Sequence, residues 1–63
     1  MIPKPIAPAR ILDLITEGYG VDDIHVKTGM SYREIASGLR WLDARHHPVR
    51  GYLMIALRRE VAA

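Results

Sequence analysis

Arg33, Ser37 and Arg40 stand four and three residues apart in the middle of the chain. On an α-helix that spacing puts all three on one face. Arginine's planar fork of donors suits a phosphate or the major-groove edge of guanine, and a serine hydroxyl reaches a base edge or a phosphate. Ala44 extends the stripe. Tyr32 and Ala36 flank it, and an alanine there allows close approach. The stripe is centred roughly 180° around the helix from Ile35 and Leu42. A helix that buries Ile35, Leu39 and Leu42 therefore offers a polar, doubly basic face of the kind that enters a major groove.

Other chemistry finds less support. His25, His46 and His47 have no acidic or thiol side chain spaced to join them, and adjacent histidines on a helix point in different directions. No metal and no cofactor is expected. Ser31 or Ser37 with His25 and an aspartate could be drawn as a catalytic triad, yet both serines already have structural roles, so no enzyme is expected.

Length and charge narrow the classes further. The chain has 63 residues and no cysteine, with 9 lysines and arginines against 7 aspartates and glutamates. That supports one domain, leaves little mass to wall off a substrate pocket, and excludes a disulfide scaffold. Residues 1–30 carry three bases against four acids, a net −1, and residues 31–63 carry six arginines against three acids, a net +3. The longest apolar run, Tyr52 to Leu57, is six residues, far short of the roughly 20 a membrane span needs. With no apolar leader in the proline-broken N-terminus, a cytoplasmic protein with no membrane partner is expected.

Four elements must position the basic face. Pro3, Pro5 and Pro8 bias residues 1–7 toward an extended arm, and residues 8–63 read as a single domain. The pattern predicts a first helix over 8–17, with Ile11, Leu12 and Ile15 on its main stripe and Leu14 beside it, ended by Gly18. A second helix over 21–28 has Asp22 and Asp23 in its first turn, where the helix dipole favours them, and Gly29 stops it. Ser31 and Glu34 form a capping box that opens a third helix over 32–46, ended by Pro48, with the stem of His46 on its buried side. Over 49–61 the four-residue repeat Val49, Leu53, Leu57, Val61 favours a helix, although the run from Tyr52 to Leu57 could be a strand. The fold class is all-α, a small three- to four-helix domain. Its second and third helices meet at a three-residue turn, Gly29-Met30-Ser31, with Met30 directed into the junction and Ile24, Ile35 and Leu39 locking it.

From Ile11 to Leu39 the chain resembles the helix-turn-helix of LuxR-type regulators and sigma-factor region four. Glu17-Gly18-Tyr19, then Asp23-Ile24, then Gly29-Met30-Ser31 carry the resemblance without a gap, and it covers residues 10–42. The family usually has alanine where this chain has His25, leucine where it has Thr28, and a small or apolar residue at Gly38. The resemblance implies base-reading positions at Tyr32, Arg33, Ala36, Ser37 and Arg40. Ser31, at the mouth of the same helix, joins the DNA-contact set.

The expectation is a bacterial or phage regulator that binds double-stranded DNA as a homodimer, with Lys4 of the arm adding to phosphate attraction. Trp41, about 120° around from the core stripe, is expected to pack under the last element. Val26, Met54 and Ile55 fall outside the core stripes. With Trp41 they form a candidate protein interface, either for a second copy or for a larger transcription factor on which an adaptor of this fold would dock.

Overall fold

The computed structural model describes residues 6–62, which form four helices: α1 (Ile6–Thr16), α2 (Val21–Thr28), α3 (Tyr32–Ala44) and α4 (Arg50–Ala62). There is no strand among the described residues. The domain is all-α, as expected, and residues 50–62 are helical rather than extended.

The α1 helix begins at Ile6, two residues before the expected start, so part of the predicted arm is helical. Pro8 tolerates this because the first amides of a helix have no intrahelical acceptor to lose. Pro3, Lys4 and Pro5 lie outside the described residues. The buried stripe of α1 is Pro8, Ile11 and Leu14, with Leu12 and Ile15 half-buried. Leu14 is therefore central rather than peripheral. The sequence fixes the period of such a stripe but not its midpoint, which depends on the face α3 meets.

Packing is organised on α3. It meets α1 on one side and α4 on another, and α2 closes against both α3 and α4. Ile11, Ile24, Ile35, Leu39, Leu42 and Val49 are essentially inaccessible to solvent. The expected lock of Ile24, Ile35 and Leu39 is thus the centre of the core. Gly38 explains how closely α1 lies: a methyl group built there would stand 2.5 Å from Ile11 Cδ1. The missing side chain lets the two helices approach, which offsets glycine's weak helix propensity.

The α2–α3 turn is Gly29-Met30-Ser31, as read from the sequence. Gly29 adopts φ 75°, the left-handed region where a side chain would be strained, and its amide donates to the His25 carbonyl. Ser31 and Glu34 make both halves of the capping box, at 3.1 and 3.2 Å.

The third helix ends at Ala44, not residue 46. Its end is a Schellman turn: the His47 amide donates to the Leu42 carbonyl and the His46 amide to that of Asp43. His46 occupies the left-handed position at φ 67° and is exposed, so its stem packs against nothing buried. In α4 the core residues are Leu53 and Ala56, with Val49 buried just before the helix begins; Leu57 is half-buried and Val61 is 87 % exposed. A strict four-residue repeat gains about 40° per step on a 3.6-residue helix, so by Val61 it has rotated off the core.

Candidate nucleic-acid interface

The face proposed from spacing exists as an open surface. Arg33, Ser37, Arg40 and Ala44 are all exposed on the side of α3 away from Ile35 and Leu42. Neither Arg33 nor Arg40 joins a salt bridge or a side-chain hydrogen bond among the described residues. The two described salt bridges, Arg50–Asp43 at 3.3 Å and Arg59–Asp22 at 3.0 Å, use other arginines.

Three of the expected contact residues stand differently. Ala36 is 1 % exposed, which corrects its place on the open flank. Asp43, on the same side of α3, bonds Arg50 at the start of α4, while Tyr32 bonds Asp22, whose other oxygen binds Arg59 near α4's end. Ala36 lies between these two ties, so that flank belongs to the α4 packing. Ser31 is exposed, but its hydroxyl is engaged with the Glu34 amide and carboxylate. Tyr32 is half-buried, with its ring stacked on His25 at 4.2 Å between centroids and its hydroxyl donating to Asp22 Oδ1 at 2.7 Å.

His25 and Thr28 act together at the α2–α3 turn. The Thr28 hydroxyl donates to the Ile24 carbonyl at 2.6 Å and accepts from the Met30 amide at 3.1 Å. His25 Nδ1 lies 2.6 Å from the Met30 carbonyl, which makes that nitrogen the donor. Both polar groups of the Met30 backbone are thereby satisfied by α2 side chains. A turn that apolar packing would otherwise hold is held here by hydrogen bonds, and the His25 ring becomes the platform for Tyr32.

Asp22 is the charged centre of this corner. The Tyr32 hydrogen bond is the main reason its carboxyl is held below the ordinary aspartate range; desolvation opposes it, and the Arg59 guanidinium and His25 add to the lowering. The same bond raises the Tyr32 phenol above its usual value. The pairing of Asp22 with Arg59 is not legible in the sequence, because the two lie 37 residues apart and no local pattern links them.

Trp41 is half-buried on the α1 side of α3, beside Ala7 and Pro8, rather than under α4. The Arg45 guanidinium covers its ring at 3.6 Å. Val26, Met54 and Ile55 are exposed, as expected for residues outside the core stripes. No group of three or more metal-ligating side chains occurs among the described residues, and no helix there is long and apolar enough to cross a membrane. No family model, curated protein or solved structure matches the chain significantly.

Proposed function

We propose that this chain is a small DNA-binding transcriptional regulator with α3 as its recognition helix. The open face bearing Arg33, Ser37 and Arg40, with both guanidiniums uncommitted among the described residues, carries the reading. Seven residues of helix separate the arginines by about 10 Å along the axis. At 3.4 Å per base step that is about three steps, so one helix laid in a major groove addresses two separate positions of a site. The capping box and the bonded Met30 turn support the reading, because a contact helix must be held rigidly against its scaffold. Tyr32 and Ser31 support the helix mouth, and Ala36 supports the core beneath it.

The regulator works as a homodimer in this account. The outer face of α4 exposes the apolar side chains of Met54, Ile55 and Val61 around Arg58. Two copies joined there would set two α3 helices in successive major grooves, about 34–36 Å apart. Regulation then comes from abundance or from a partner protein.

Arg40→Ala is expected to weaken specific binding by about 1–3 kcal/mol and relax one base position. A gel-shift titration against the DNA upstream of its own gene measures this, and unchanged affinity contradicts it.

A second reading, an adaptor that docks on a larger transcription factor through Val26, Trp41, Met54 and Ile55, draws on the 82 % exposure of Val26 and the 52 % exposure of Met54. Retention on duplex DNA against salt separates the two. A steep fall with salt marks phosphate contacts, and no retention at low salt marks protein docking.

A further inference from the structure

Asp22 is held by two donors from distant parts of the chain. The Tyr32 hydroxyl donates to Oδ1 at 2.7 Å and the Arg59 guanidinium to Oδ2 at 3.0 Å. The donors converge on one carboxylate at the mouth of the recognition helix, next in sequence to Arg33. The ion pair is about half exposed on both sides. An exposed pair of this kind contributes little to stability, so holding the fold together is a weak reason for the arrangement. A carboxylate and a phosphodiester present the same feature to a hydroxyl and a guanidinium, namely two anionic oxygens in one plane.

We propose that the Tyr32–Arg59 pair is a backbone-phosphate site occupied in the free protein by Asp22. Asp22 acts as an internal competitor: a phosphate of the duplex displaces its carboxylate and takes over both donors. The inference rests on the DNA-binding reading and adds to it a phosphate clamp outside the base-reading face and a built-in brake on affinity. Like any aspartate, Asp22 is charged at neutral pH, so the competition is always present there.

The test is a salt series of duplex-binding affinities for the wild type, Asp22→Asn, Asp43→Asn, and Asp22→Asn combined with Arg59→Ala. Asp43→Asn is the control: it removes the same charge and likewise releases an arginine, Arg50, but away from Tyr32. Thermal unfolding of each variant confirms that it is folded. Asp22→Asn is expected to bind about three- to tenfold tighter than the wild type at low salt, with about one further counterion released per duplex bound. Asp43→Asn is expected to gain less and to keep the wild-type salt slope, and Arg59→Ala is expected to abolish the Asp22→Asn gain. If Asp22→Asn gains no more than Asp43→Asn, while the wild type binds duplex, the brake is refuted and the DNA-binding reading stands. If neither the wild type nor Asp22→Asn binds duplex at low salt, the DNA-binding reading falls and the clamp with it.

Discussion

His46 and Gly38 show how single residues record contacts made elsewhere. His46 holds a left-handed backbone at φ 67°, where a non-glycine residue is disfavoured by about 1–2 kcal/mol. His46→Gly is expected to stabilise the domain by about 1 kcal/mol, a rise of about 4–8 °C in melting temperature for a chain this size. Unchanged or lowered melting would show that the histidine side chain makes a compensating contact. Gly38→Ala gains about 1 kcal/mol of helix propensity but pushes on Ile11 Cδ1. Ile11→Val removes that atom. The double variant is therefore expected to be more stable than the two single effects predict together, by about 0.5 kcal/mol or more; strict additivity would contradict the close approach. Asp22 and Tyr32 set the pH response. The depressed Asp22 carboxyl contributes stability that is present above the unfolded aspartate value and lost as pH falls through the folded one. The raised Tyr32 phenol contributes stability that is present below the ordinary tyrosine value and lost as pH rises through the folded one. Chemical denaturation across pH should show both arms flattened in Asp22→Asn; arms unchanged from the wild type would mean that other groups cause them.

At the scale of elements, local signals were legible and cross-helix ones were not. Ser31 and Glu34 lie three residues apart, so the start of α3 could be read from four letters, and Gly29 marked the turn in the same way. Ser31→Ala is expected to cost about 1 kcal/mol of stability. Because the hydroxyl is engaged in the cap, duplex affinity of the folded fraction should change little. A large affinity loss without a stability loss would restore Ser31 as a direct contact. Ala36 could not be read so simply. Its helical angle is intermediate, and only the position of α4, fixed by the burial of Val49, Leu53 and Ala56, decides that it is buried. Leu14 and Trp41 changed place for the same reason: periodicity gives the angle of a side chain but not the neighbour that covers it. Gly38 looked like a weakness of α3 because its justification, Ile11, belongs to another helix.

At the scale of the molecule, the six arginines of the basic half divide by what holds them. Arg50 and Arg59 are tied to carboxylates and Arg45 lies over Trp41, whereas Arg33 and Arg40 on one face of α3, and Arg58 on α4, are exposed and join no salt bridge among the described residues. That division turns a modest net charge of +2 into a directed surface. The proposed homodimer depends instead on the exposed apolar groups of α4. Met54→Glu is expected to convert a dimer into monomers in sedimentation without unfolding it, because the side chain is 52 % exposed in one copy. A wild type that sediments as a monomer at high concentration would remove the paired-groove geometry and leave single-site binding. The contact face itself is tested most directly by an NMR titration of isotope-labelled protein with the duplex upstream of its gene. The expected result is amide and side-chain shifts concentrated in residues 31–44, strongest around Arg33, Ser37 and Arg40. Binding that leaves those three unmoved while shifting Val26, Met54 and Ile55 would contradict the account.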